Sequence, residues 1–198
     1  MKIHLVKICL LLSLCMVISL RAEPASQAST AAKMLVYIQA IEYNNPIYLW
    51  QPYDGRWVLQ GPLLEAQAMA KFSQVYPDVG LCEGYQSGKA LIWMQPGIFY
   101  NPQVQRFYGK VTANVYNGMG HFVASYVGEA SLQGLLDSTT DDSLSKTYAQ
   151  SIDVVLAQMQ ADSALQAMLA NVSPSVADAT PCSMVSLLPI PKIRVMSF

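Results

Sequence analysis

The sequence predicts an α/β (α+β) domain: a mainly antiparallel or mixed sheet with two helices packed on one face and one disulfide. Three observations predict it. Residues 106–116 alternate strictly between apolar and polar, residues 144–159 repeat apolar side chains at helical spacing, and Cys82 and Cys182 form an even pair outside the leader. The alternation requires one buried and one wet sheet face, and the helical stripe requires an apolar surface to lie on.

Met34 to Ile41 is apolar with β-branched and aromatic residues and ends at Asn44-Asn45-Pro46, so it reads as a buried strand followed by a turn. Ile47 to Trp50 and Arg56 to Leu59 flank the loop Gln51-Pro52-Tyr53-Asp54-Gly55, as in a short hairpin or an irregular excursion. Gly61-Pro62 marks a helix start, with proline at the first helical position. Leu64, Ala68, Phe72 and Val75 then recur at helical spacing until Tyr76-Pro77 stops the run. Cys82 to Gly88 is a glycine-punctuated loop. Ala90 to Met94 is a strand that Pro96-Gly97 breaks or bulges, resuming at Ile98-Phe99-Tyr100.

The clearest strand follows. Phe107, Gly109, Val111, Ala113 and Val115 share one face, while Arg106, Tyr108, Lys110, Thr112, Asn114 and Tyr116 share the other. Asn117-Gly118 favours positive φ at both central positions of a hairpin turn, and His121 to Val127 returns. Asp141-Asp142-Ser143 caps a long helix, with acidic residues at its positive end. Its stripe is Leu144, Tyr148, Ile152, Val155 and Met159, after which Asp162 caps a last segment carrying Leu165, Met168 and Leu169. Pro174, Pro181, Pro189 and Pro191 then make residues 172–198 an extended tail.

The first residues carry an address. Lys2 and Lys7 precede a thirteen-residue apolar run, Ile8 to Leu20, which ends at Arg21-Ala22-Glu23-Pro24. That order is a secretory signal peptide, and the run is shorter than the roughly 20 residues a membrane span needs. The expected organisation is a leader 1–22 (cut at Ala22, or as late as Ala28), a flexible lead 23–33, one α/β domain 34–171, and the tail. Cys15 does not read as a lipid-attachment site, because Leu14 before it is bulky and the apolar run continues past it. Export places the chain in an oxidising compartment, where Cys82 and Cys182 form one structural disulfide. Three of the twelve basic residues leave with the leader, so nine face thirteen acidic ones and the net charge becomes −4. A weakly acidic surface excludes nucleic acid as the expected partner.

Chemistry is sparse. His121 is the one histidine beyond the leader; there is no Gly-x-Ser-x-Gly elbow, and metal-ligand pairs at usable spacing are absent. No catalytic residue, metal or cofactor is expected. A carboxylate pair drawn from Glu65, Asp78, Glu83 and Glu129 leaves a small secreted hydrolase as the alternative. Aromatic residues offer a better clue. Tyr48, Trp50, Tyr53 and Trp57 crowd one segment, and Trp93, Phe99 and Tyr100 another. Tyr and Trp are enriched at protein interfaces.

Ala90-Leu91-Ile92-Trp93, Phe99-Tyr100-Asn101-Pro102, Tyr108-Gly109-Lys110-Val111, Val115-Tyr116-Asn117-Gly118 and Tyr126-Val127-Gly128 stand in that order before the helix Tyr148 to Leu169. This order resembles small Gram-negative envelope proteins of the YajG type, whose α/β fold is similar to the TolB amino-terminal domain. The resemblance covers roughly residues 34–170. It implies a non-catalytic accessory protein in the periplasm or at the outer membrane, and carries over no catalytic residue. The expected partner is therefore an envelope protein, with no transmembrane segment after the leader and membrane association through that partner. Trp50, Tyr53 and Trp57 are one candidate contact; Leu187, Leu188, Ile193 and Phe198 of the apolar tail are another. Such a tail adds a strand to a partner's sheet or covers its own. The terminal Phe198 also suggests an eight-stranded outer-membrane barrel, which the long helical stripe contradicts.

Overall fold

The computed structural model describes residues 32–170 and 180–190. The expected leader, nearly all of the lead, the first part of the tail, and Ile193 and Phe198 lie outside the described residues.

Seven strands appear in chain order: β1 (Ala32–Tyr37), β2 (Pro46–Gln51), β3 (Asp54–Leu59), β4 (Val79–Leu81), β5 (Gly88–Asn101), β6 (Arg106–Asn117) and β7 (Phe122–Gln133). Helices α1 (Ala40–Asn44), α2 (Gln60–Val75), α3 (Thr140–Ala161) and α4 (Ser163–Ala170) lie between and after them, followed by a 3-10 turn, Pro181–Leu187. Five strands form a mixed sheet in the order β4-β1-β5-β6-β7. β1 runs parallel to both β4 and β5, whereas β5, β6 and β7 form an antiparallel meander. β2 and β3 form a separate two-stranded ribbon.

The expected alternation of β6 holds: Phe107, Gly109, Val111, Ala113 and Val115 are all buried. They face helices, together with Met34, Val36, Ala90, Ile92 and Met94 of the neighbouring strands. Leu64, Ala68 and Phe72 of α2 and Tyr148, Ile152, Val155 and Met159 of α3 complete this core. Two glycines let α3 lie close to the sheet. A side chain on Gly128 would run into the Ser151 carbonyl, and one on Gly109 would meet Thr147 Cγ2. Ser151 Oγ also donates to the Gly109 carbonyl at 3.3 Å. Part of the opposite sheet face is covered by the 3-10 turn, where Leu35 and Leu91 pack on Cys182. The disulfide joins Cys82 to Cys182, as the sequence predicts.

Several expectations need correction. The first strand ends at Tyr37 rather than Ile41, because β4 and β5 pair with it no further. Beyond it the Glu42 and Tyr43 N–H groups both bond to the Gln39 carbonyl and wind the chain into α1. Pro62 falls in the third position of α2, still within the turn whose N–H groups lack helical partners. Pro96-Gly97 neither breaks nor bulges β5, whose register with β6 is unbroken. The last β1 pair is Tyr37 with Trp93, so β5 has become an edge strand by Pro96, where proline is tolerated. The three-residue β4 gives too short a pattern to announce itself in the sequence.

The β6–β7 turn is also different. Four residues connect the strands; positive φ falls on Gly120, and the Asn117 side chain accepts the Met119 and His121 N–H groups. Acidic side chains do not cap α3, although Asp141 and Asp142 occupy its first turn. Asp162 does cap α4, accepting the Ala164 and Leu165 N–H groups. Finally, the described tail residues 181–187 are a 3-10 turn rather than extended. Cys182 is tied to Cys82, and Ser183 folds back through N–H and hydroxyl bonds to the Thr180 carbonyl.

Candidate functional site

The β2–β3 ribbon has two unlike faces. Its inner face places Leu49 and Val58, 3% and 4% exposed, against Tyr100, Phe107, Leu136 and Leu144. Burying two such side chains stabilises the ribbon's seat by about 1.5–3 kcal/mol each. Two bonds to the loop after β7 add to it: Gln51 Nε2 to the Leu136 carbonyl, and Arg56 Nη1 to the Asp137 carbonyl.

The outer face carries Pro46, Tyr48 and Trp50 on β2 and Gly55, Trp57 and Leu59 on β3, since alternate residues share a face. Register sets Tyr48 opposite Trp57, Trp50 opposite Gly55 and Pro46 opposite Leu59. None of these six positions is charged. Tyr48 and Trp57 pack ring to ring with centroids 5.1 Å apart. Trp50 is 51% exposed and Trp57 65%, so most of each ring faces solvent. Tyr53 stands fully exposed at the tip, in the left-handed region at φ 69°. A side chain there costs about 1–2 kcal/mol relative to glycine. The chain thus carries a ring where the backbone favours none.

Trp50 and Trp57 therefore share one exposed face with Tyr48 and Leu59, while Tyr53 stands at the turn beyond them. Sequence reasoning placed Tyr48 in the cluster but missed Leu59, whose two-residue offset from Trp57 was the available signal. The second aromatic group divides: Trp93 and Tyr100 are buried, whereas Phe99 is half exposed and pairs with Tyr108 across the sheet. Of the tail candidates, Leu187 is exposed and Leu188 is buried.

Four carboxylates were candidates for a hydrolytic pair. Glu65 and Glu83 line one open cleft of about 220 Å³ outside the carboxyl ends of β1 and β4, with Tyr37 and Tyr43 beside them. Tyr43 Oη donates to Glu65 Oε1 at 3.3 Å. Asp78 lies in the turn before β4, and Glu129 is paired with Lys110 on the sheet's outer face. Among the described residues no three His, Cys, Asp or Glu side chains converge as a metal site, and no helix is long and apolar enough to cross a membrane. His121 is exposed at the β6–β7 turn. Asp137 accepts the Thr139 hydroxyl and N–H, which hold its carboxyl below the usual range.

Comparison with known proteins gives little. No family model matches the chain, and no curated protein does. A solved structure titled only as an uncharacterized protein is similar at 10% identity, covering 64% of this chain and 90% of its own, with a TM-score of 0.39. Another, titled a "putative lipoprotein" from Caulobacter crescentus, is similar at 9% identity, covering 73% and 96%, with a TM-score of 0.35. Neither likeness bears on function.

Proposed function

We propose that this protein is an exported, non-catalytic accessory of the bacterial cell envelope that binds an envelope protein through the outer face of the β2–β3 ribbon. One observation carries the reading. The ribbon buries Leu49 and Val58 within its own fold and leaves a second face, uncharged and aromatic, uncovered among the described residues. A soluble chain seldom exposes such a patch unless something binds there. Trp and Tyr are the side chains that most often dominate protein-binding energy.

Export is supported by the order of charge and apolar residues over 1–22, and by a disulfide that suits an oxidising compartment. The uncharged outer face fits a partner contacted through apolar side chains, with no salt bridge to register it. Leu187, Ile193 and Phe198 supply a second contact under this reading, in which the tail reaches the same partner.

The test is capture from envelope extract by the tagged, processed chain, compared with Trp50→Ala/Trp57→Ala and with a chain ending at residue 186. Losing two interface anchors of about 2 kcal/mol each weakens binding at least several-hundred-fold, so the captured protein disappears. Equal capture by the intact chain and the double variant overturns the reading.

The cleft between Glu65 and Glu83 favours the hydrolase as a second reading. Its volume is below the roughly 300–1,000 Å³ of most ligand sites, and Glu65 already accepts a hydrogen bond from Tyr43. Turnover of a glycan or ester library that Glu65→Gln and Glu83→Gln each abolish would put this reading first.

A further inference from the structure

Glu42 of α1 is a half-buried carboxylate that pairs with no cation among the described residues. Its Oε2 is shielded from solvent and accepts no hydrogen bond, and the indole Nε1 of Trp93, a residue 4% exposed, is likewise unpartnered. Gln39, at the head of α1, leaves its Oε1 in the same condition while its Nε2 donates to the Pro189 carbonyl. Among the described residues, the groups that act on Glu42 or feel its charge are Trp93 and Gln95 of β5, Tyr37 of β1 and Tyr148 of α3. None is a cation, and Glu42 takes part in none of the three ion pairs among the described residues. Removing an unpaired carboxylate from water is costly, so the neutral form suits this seam better. Burial accordingly pushes the Glu42 carboxyl up to about 7, the nearby polar side chains of Trp93 and Gln95 opposing the shift.

Position gives this group its consequence. Five residues make a helix too short to persist by itself, so α1 depends on what seats it. One seat is Tyr43, which lies so close over Gly61 that a side chain there would collide with it, and which bonds to Glu65. The other is Glu42 against β5. Asn45 alone separates α1 from β2, so α1 is the root of the aromatic ribbon.

We propose that Glu42 is a proton-operated latch: when neutral it seats α1 against β5 and steadies the root of the ribbon, and its ionisation loosens that seat. The latch concerns how the ribbon is held and does not depend on what its outer face binds.

Amide hydrogen exchange on the processed chain tests this between pH 6 and pH 8.5, after correction for intrinsic rates. Protection over residues 39–46 is expected to fall about tenfold across that range, while β6 stays unchanged. Glu42→Gln, which cannot ionise, is expected to hold its protection at both pH values. Carbon-13 NMR of the Glu42 carboxyl in the unmodified chain supplies a second readout that needs no variant, with a midpoint near 7 expected. A midpoint in the ordinary carboxylate range, unchanged protection over 39–46, or the same loss in Glu42→Gln each overturns the latch.

Discussion

The phenol ring of Tyr48 lies across Gly55, on the opposite strand of the ribbon, so closely that a side chain at Gly55 would occupy the space of its hydroxyl. Gly55 thus sets the shape of the outer face from beneath. Its φ is not positive, so alanine would meet no backbone strain there and would act by displacing Tyr48 from Trp57. Gly55→Ala is expected to change stability by less than about 1 kcal/mol, as exposed substitutions usually do. Partner capture should fall sharply, and the near-ultraviolet circular dichroism of the Tyr48–Trp57 pair should change. A variant that melts normally and binds normally would show that the ring geometry is irrelevant.

Stability should carry the signature of Glu42. Its carboxyl is raised from 4.5 to about 7, so the folded chain holds this proton more tightly than the unfolded one. The group therefore favours folding most below about pH 4.5, and that contribution is lost as pH rises through about 7. Glu42→Gln is expected to be more stable than the native sequence above pH 7, by about 1–2 kcal/mol after discounting for partial exposure. Near pH 4.5 the two should be alike. Denaturant titrations at pH 4.5 and 8 check the sign.

Much of this architecture was legible because burial imposes a period. The faces of β6 and the stripe of α3 each follow from a long run whose spacing admits one orientation. Where the chain obeyed longer-range partners, local pattern failed. Ile38 to Ile41 look like strand, yet β4 ends at Leu81 and leaves them no ladder to join. Pro96-Gly97 look like a break, but β1 has already stopped, and an edge accepts proline. The site was half legible. Aromatic crowding marked Trp50, Tyr53 and Trp57, while their common face depends on a register that leaves Leu49 and Val58 inward. Glu42 gave no sequence signal, since the β5 side chains that act on it, Trp93 and Gln95, are some fifty residues away.

The disulfide should matter for the outer half of the sheet as well as for stability. It closes a loop with a sequence separation of 100 and is worth about 4–5 kcal/mol in the chain-entropy model. Cys182→Ser is expected to lower stability by several kcal/mol and to expose Leu35 and Leu91, which the 3-10 turn covers. Denaturant midpoints, together with binding of a hydrophobic dye, read both effects.

The contact of α3 with the sheet depends on Gly128, where a side chain would strike the Ser151 carbonyl. Backbone cannot step aside as a flexible side-chain tip can, so Gly128→Val is expected to cost about 3 kcal/mol or more. A thermal midpoint within a few degrees of the native value would show that α3 is not held as described.

The most direct measurement of the central claim places a photo-crosslinking benzophenone residue at Trp57 in one chain and at Val154, an exposed position on α3, in another. After irradiation in intact cells, position 57 should give a covalent adduct with one envelope protein and position 154 should give none. Absence of an adduct at 57, or the same adduct at both positions, would contradict the account.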